Sequence, residues 1–243
     1  MSSKCLILAA GMATRLQPLT SRLPKCCLEI TKGESLIERL VKQISNFTDT
    51  SEIVVCVGFE AQKIITKLQP MSVKNLKYCF NPDYKTTNNM YSAWLALKDD
   101  EVHTDLLIIN ADCVYDDQMI KRTQKASKST IFFDSLKWDE ESMKIELSEN
   151  GLVTNIAKTI EKDDNSYVSI DLYKFKSADA QNYLSSIEEF VNQRELRLWN
   201  ELAIQRMIKK KMNLVYGYDI VKLPWFEIDT IQDYQNAKLL FSK

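Results

Sequence analysis

The chain has 243 residues, of which 45% are hydrophobic and 27% charged, with a formal net charge of −1 and a pI near 6.0. This composition excludes a disordered chain, and a charge so close to zero supplies no global attraction for nucleic acid or an anionic membrane. Any affinity for phosphate must come from lysines and arginines placed locally. The length fits a single α/β domain, 1–243, with a full core. Met1-Ser2-Ser3-Lys4 runs directly into an apolar strand without the longer hydrophobic stretch of a secretion signal, and no apolar run approaches membrane-spanning length. A cytoplasmic protein is expected. The six cysteines, at 5, 26, 27, 56, 79 and 113, form no C-x-x-C pair and read as reduced core residues. The single histidine, His103, gives poor support to a histidine triad or a multi-histidine metal site.

In chain order, the apolar run Cys5-Leu6-Ile7-Leu8-Ala9-Ala10-Gly11 predicts a buried strand ending in small residues. Ala9, Ala10 and Gly11 allow a ligand to approach the backbone, and the amides of such a turn can form an anion nest, with Arg15 and Lys25 adding charge above it. An ordinary first turn with two surface cations is the alternative. A helix follows over 36–44, a strand over 52–58, a helix from about Glu60 and a strand over 76–80, implying parallel pairing with right-handed crossovers. Thr87 or Asn88 is a good N-cap for a helix directing Met90, Trp94 and Leu97 inward, and Asn88, Asn89 and Ser92 also offer hydrogen bonds to a base or ribose.

The run 105–112 is the clearest strand and ends in Asp112, at the strand edge where open α/β sheets bind ligands. Beyond Ser129 the pattern turns antiparallel: strands over 130–133, 143–147, 153–156 and 167–175, with a hairpin signal at Glu149-Asn150-Gly151-Leu152. A nucleotide-binding half (about 1–127) and an acceptor-binding half (about 128–243) on one sheet are expected. Helices follow over 178–191 and 196–212, the second closed by Lys209-Lys210-Lys211 at its negative dipole end. A short strand over 223–230 and a helix over 231–240 complete the chain. Both Asp112 and Asp229 admit a helix-capping role as well as a ligand role.

The stretch from Leu8 to Leu16, with Pro18-Leu19-Thr20 and Leu23-Pro24-Lys25, resembles the signature of nucleotidyltransferases that join a nucleoside triphosphate to a small phosphorylated metabolite. Those proteins usually carry a second glycine where this chain has Ala13, and more often glycine where it has Ala111. Thr87-Asn88-Asn89-x-Tyr91-Ser92-x-Trp94 and Trp138-Asp139-Glu140-Glu141-Ser142-Met143-Lys144 resemble the subgroup that makes CDP-choline and related cytidylyl conjugates. The resemblance implies a three-layer, Rossmann-like α/β fold with a mixed, mainly parallel sheet and an antiparallel acceptor side. It implies Mg²⁺ held by Asp112 and Asp229, catalytic roles for Lys25 and Arg15, and nucleotide binding by Leu8, Ala9, Ala10, Gly11, Met12, Ala13, Thr14, Asn88, Asn89, Ser92 and Ala111.

The implied reaction takes CTP and a small phosphorylated acceptor to a CDP conjugate and pyrophosphate. Phosphocholine is the first acceptor suggested; 2-aminoethylphosphonate or another phosphorylated amine such as phosphoglutamine fits the same features. A quaternary ammonium is best held by aromatic faces beside a carboxylate, so Trp138, Tyr173 and Trp225 with Asp171 or Glu227 are candidates, with Lys144 following on the acceptor side. A sugar-1-phosphate nucleotidyltransferase is the second enzymatic reading, and a non-catalytic nucleotide sensor the third. Neither nucleic acid nor membrane is an expected partner; a homo-oligomer is compatible with the sequence.

Overall fold

The computed structural model describes residues 3–99, 104–210 and 214–241; His103 and Lys211 lie outside them. The first half alternates β1 (Ser3–Ala9), a small ribbon β2 (Glu29–Thr31) and β3 (Glu34–Ser35), α1 (Leu36–Phe47), β4 (Thr50–Val57), α2 (Ala61–Leu68), β5 (Leu76–Phe80), α3 (Asn89–Leu97) and β6 (Asp105–Asn110). The rest comprises β7 (Cys113–Tyr115), α4 (Asp117–Lys125), β8 (Thr130–Asp134), β9 (Lys144–Leu147), β10 (Val153–Ala157), β11 (Ser166–Phe175), α5 (Ser177–Asn192), α6 (Asn200–Lys209), β12 (Tyr216–Asp219), β13 (Trp225–Glu227) and α7 (Ile231–Phe241). None of the described helices is long and apolar enough to cross a membrane.

Both halves share one nine-stranded sheet in the order β10-β9-β11-β6-β1-β4-β5, with β8 on the other edge of β11 and β12 beside β8. Strands β5, β4, β1 and β6 run parallel, and β11 joins β6 antiparallel. The pleat of β1 shows why the strand is apolar throughout. Cys5, Ile7 and Ala9 enter one core with α1, α2 and α4, whereas Leu6 and Leu8 enter a second core with α3, α5 and α6. The sheet is thus the middle of three layers. At the head of α1, the Ser35 and Glu38 side chains form a reciprocal capping box.

Two features position the cleft. First, β6 and β9 lie end to end along the same edge of β11: Leu172–Phe175 pair with β6, and Ser166–Val168 pair with β9. Asp171 falls in the gap between them with φ 56, where the register against β8 also shifts. Second, β13 folds back on β7, pairing Glu227 with Cys113, and the Ile228 N–H donates to the Asp112 carbonyl at 3.0 Å. Residues far apart in sequence, 112 and 227–229, become backbone neighbours.

The predicted helix over 196–212 begins only at Asn200. The ribbon β2–β3 and the strand β12, parallel to β8, were not foreseen. Tyr216-Gly217-Tyr218-Asp219 is too short and too interrupted by glycine to announce a strand.

Candidate active site

A cleft of about 380 Å³ opens at the C-terminal ends of β1 and β6, the position that strand-edge logic assigns to ligands in open α/β sheets. Of the sequence-derived candidates, Leu8, Ala9, Ala10, Gly11, Ala13, Thr14, Arg15, Lys25, Asn88, Asn89, Ser92, Ala111, Asp112, Asp171, Glu227 and Asp229 line it. Met12, Trp138, Lys144 and Tyr173 stand outside the lining.

The polar centre is a lysine between two carboxylates. Lys25 Nζ lies 3.0 Å from Asp112 Oδ2 and donates to Asp229 Oδ1 at 2.8 Å, while Arg15 Nη2 donates to Asp229 Oδ2 at 2.6 Å. Burial works against the Lys25 charge, but Asp112 and Asp229 outweigh it and hold the ammonium above the usual lysine range. Burial likewise opposes the Asp229 carboxylate, yet Lys25 and Arg15 keep its pKa below the ordinary value. Neither aspartate serves as the neighbouring helix cap. Asp116 Oδ1 accepts from Gln118 N at 2.8 Å to start α4. At α7, the Asp233 N–H donates to Thr230 Oγ1 at 3.2 Å and the Thr230 N–H to Asp233 Oδ2 at 2.7 Å.

Asp112, Glu227 and Asp229 each present an oxygen, all within 4.8 Å of one another. An all-oxygen, anionic donor set suits a hard divalent cation such as Mg²⁺. A second grouping of Asp112, Cys113 and Asp171 includes a thiol and fits such an ion less well. Burial, with Asp171, Asp112 and Asp229 adding to it, pushes Glu227 up to about 9. Burial, then Glu201 and Asp112, pushes Asp171 up to about 8.

These shifts set a pH dependence. A carboxyl raised in the folded state keeps a proton that the unfolded chain has already released. Each such group therefore lowers stability as pH climbs from its unfolded value to its folded one, by up to about 1.4 kcal/mol per pH unit. In chelator-treated protein the melting temperature is expected to fall between about pH 6 and about pH 9, and added Mg²⁺ to raise it more at the alkaline end. Differential scanning fluorimetry across that range checks this; a Mg²⁺ gain independent of pH would contradict it.

At the turn after β1, Ala13 adopts φ 48, a left-handed conformation that costs a residue bearing a Cβ about 1–2 kcal/mol. The bond from Thr20 Oγ1 to the Ala13 carbonyl, 2.7 Å, fastens the turn. Asn88 caps α3 by accepting from the Asn89 N–H at 2.8 Å, Asn89 Oδ1 accepts from the Asn200 N–H at 2.8 Å, and Asn81 Nδ2 donates to Ser92 Oγ at 2.9 Å. The cleft wall is therefore braced against α6. Gly58 sits tight behind the cleft, because a Cβ there would fall 2.7 Å from Tyr84 Cβ and 2.8 Å from the Ala10 carbonyl. Gly58→Ala is expected to cost about 1–3 kcal/mol in urea unfolding and to weaken nucleotide binding, since Ala10 and Tyr84 both line the cleft. A change below about 0.5 kcal/mol would show that the wall yields freely.

At the β11 end of the cleft, Tyr173 is fully buried and its hydroxyl lies 2.9 Å from Asp171 Oδ1 and 3.0 Å from Glu201 Oε1. Lys144, 1% exposed, gives its ammonium to the carbonyls of Asp139 (3.3 Å), Glu140 (2.8 Å) and Ser142 (3.1 Å), stapling the 139–142 loop. Trp138 packs half-buried against the α1-side core, with its indole N–H donating to Glu140 Oε1 at 2.9 Å. Cleft residues that the sequence did not disclose include Tyr84, Asn110, Lys158, Trp199 and Glu201. Glu201 sits in the first turn of α6, where an acid reads as a favourable dipole partner and nothing local marks it as buried.

A mixed α/β sheet that gathers a small-residue turn, a part-buried lysine and strand-end carboxylates into one cleft has the chemistry to suit a polyphosphate and a divalent cation. The family described as Nucleotidyl transferase matches residues 4–242, and the chain belongs to it. The chain is 24% identical over 176 residues to the bifunctional protein GlmU of Methanococcus maripaludis, covering 71% of this chain and 40% of that protein. It is 28% identical over 137 residues to the CTP:phosphoglutamine cytidylyltransferase of Campylobacter jejuni, covering 55% and 53%. The chain thus spans two fifths to about half of the length of these curated relatives. The solved structure of the CTP:phosphocholine cytidylyltransferase of Streptococcus pneumoniae superposes with a TM-score of 0.77 at 21% identity over 100% of both chains, which places the fold.

Proposed function

We propose that the protein transfers a cytidylyl group from CTP to a small phosphorylated amine, giving a CDP conjugate and pyrophosphate. A phosphate oxygen of the acceptor attacks the α-phosphorus, and the bond from that phosphorus to the bridging oxygen of pyrophosphate breaks, its electron pair leaving with pyrophosphate. Both reactants are polyanions, so the chemistry asks for charge neutralisation and alignment and for no nucleophilic side chain. The observation that best supports the reading is the Lys25 ammonium held between Asp112 and Asp229 beside the Leu8–Arg15 turn.

In this reading the amides of the turn receive phosphate oxygens, and Lys25 stabilises the charge that grows on the α-phosphate. Arg15, whose side chain is 61% exposed, is free to swing from Asp229 to the departing phosphates. Asn88, Asn89 and Ser92 face the base and ribose. Asp112, Asp229 and Glu227 would hold Mg²⁺, which when bound neutralises phosphate charge. Asp171, with Tyr173 directly behind it, stands on the acceptor side. Resemblance to cytidylyltransferases at the Asn88 and Trp138 stretches supports CTP as the nucleotide.

The test is a matrix of CTP, UTP, GTP and dTTP against phosphocholine, phosphoethanolamine, aminoethylphosphonate and glucose-1-phosphate, scored by pyrophosphate release. CTP with a phosphorylated amine is expected to dominate. Dominance of UTP or dTTP with the sugar phosphate would replace the reading by a sugar nucleotidyltransferase; tight CTP binding without pyrophosphate release from any pair would replace it by a sensor.

A further inference from the structure

Building on the transfer reaction above, we propose that the nitrogen end of the acceptor is a primary ammonium held by Asp171, Glu201 and Asn110, and that a quaternary ammonium is selected against. The three side chains come from β11, α6 and β6 and all line the cleft. Asp171 is 8% and Glu201 3% exposed. The Tyr173 hydroxyl lies within hydrogen-bond distance of both carboxylates but carries one proton, so it can donate to only one of them at a time. Among the described residues, neither carboxylate has a lysine or arginine nitrogen within 4.0 Å, and the Lys158 charge reaches Glu201 from farther off. The Asn110 side chain lies close enough to Asp171 to favour its charged form, and its Oδ1 is buried without any donor.

This end of the cleft is therefore walled by two buried carboxyls and an amide oxygen without a partner. A primary ammonium brings a positive charge and three N–H donors; a trimethylammonium brings the charge and none. A quaternary head would instead need open aromatic faces, and those nearby already carry lysines. Lys158 Nζ stands 4.9 Å from the Trp199 ring centroid and Lys85 Nζ 5.9 Å from that of Tyr84. Outside the cleft, Trp138 has Lys144 at 5.4 Å and Lys162 at 5.8 Å, and Trp225 has Lys137 at 4.3 Å. Seating a second cation on any of these rings sets like charges against each other.

The decisive measurement uses the wild-type protein with CTP and a methylation series: phosphoethanolamine, its N-methyl and N,N-dimethyl derivatives, and phosphocholine. Each methyl removes one donor at nearly constant charge. The value of kcat/KM is expected to fall along the series by about ten- to a hundred-fold overall, the size of one or two charged hydrogen bonds. Glu201→Gln should raise KM for phosphoethanolamine by about ten-fold or more, change kcat less, and flatten the series; calorimetric titration with CTP alone reports whether the variant still folds. If it does not fold, the wild-type series decides alone. Phosphocholine turned over as well as or better than phosphoethanolamine overturns the head-group assignment and leaves the transfer reaction standing. No pyrophosphate with any amine overturns both.

Discussion

Lys25→Met is expected to lower kcat for pyrophosphate release by about a thousand-fold while changing KM for CTP only a few-fold, because a preorganised charge aimed at a developing oxyanion is worth about 2.7–4 kcal/mol in the transition state. The same substitution has a second consequence that the geometry makes separable. Lys25 Nζ bridges Asp112 and Asp229 at 3.0 and 2.8 Å with only 13% of its side chain exposed. Removing it leaves the carboxylates of Asp112 and Asp229, 29% and 24% exposed, facing one another, a loss that solvent holds below the about 3–5 kcal/mol of a fully buried pair that loses one partner. Methionine keeps most of the volume, so the loss is electrostatic. Added Mg²⁺ should restore much of the melting temperature, since a divalent cation can neutralise the same carboxylates, yet leave kcat depressed. Steady-state kinetics and thermal melts with and without Mg²⁺ read the two effects apart. A fall in kcat of less than about ten-fold would remove Lys25 from the chemistry.

Much of this site was legible because its residues announce themselves locally. The run from Leu8 to Leu16 packs a strand, small residues and an arginine into a few positions, and Asp112 and Asp229 sit just beyond apolar strands. Whether those acids were caps or ligands could not be read from the sequence, since either role uses an aspartate at a strand-to-helix turn. The structure gives the capping work to Asp116 and to Thr230 with Asp233. The β11 end of the cleft was less legible. The charges around Trp138 suggested an aromatic face presented to a ligand, but Lys144 and Glu140 are used up in fastening the loop and the indole. Glu201 and Lys158 reach the cleft only because α6 packs against α3 and β10, a tertiary fact with no periodic signature. The switch of β11 from β9 to β6 at Asp171 depends on one positive φ at a residue that is not glycine, which no propensity would suggest.

Asp112→Asn tests the cation assignment more sharply than any other acid, because Asp112 belongs to both oxygen-bearing groupings in the cleft. Asparagine preserves shape and one carbonyl ligand but removes a full negative charge, and affinity for a hard divalent cation follows the charge count of its ligands. The Mg²⁺ concentration for half-maximal activity is expected to rise by about ten-fold or more, and activity at fixed millimolar Mg²⁺ to fall by about a hundred- to a thousand-fold. Stability should suffer far less than in Lys25→Met, since Lys25 retains its 2.8 Å bond to Asp229. The amide also lowers the repulsion acting on Glu227 and Asp171, both of which Asp112 pushes upward. The alkaline loss of stability in metal-free protein should therefore end at a lower pH in the variant and be smaller in total, since carboxyls with smaller upward shifts stop losing stability sooner. Titrating Mg²⁺ into activity assays of both proteins, with parallel melts across pH, separates the possibilities. Unchanged Mg²⁺ dependence with intact turnover would make Asp112 a structural partner of Lys25 alone. A shifted Mg²⁺ requirement with near-native stability would identify it as a ligand, because a purely structural ion pair has no reason to move the metal titration.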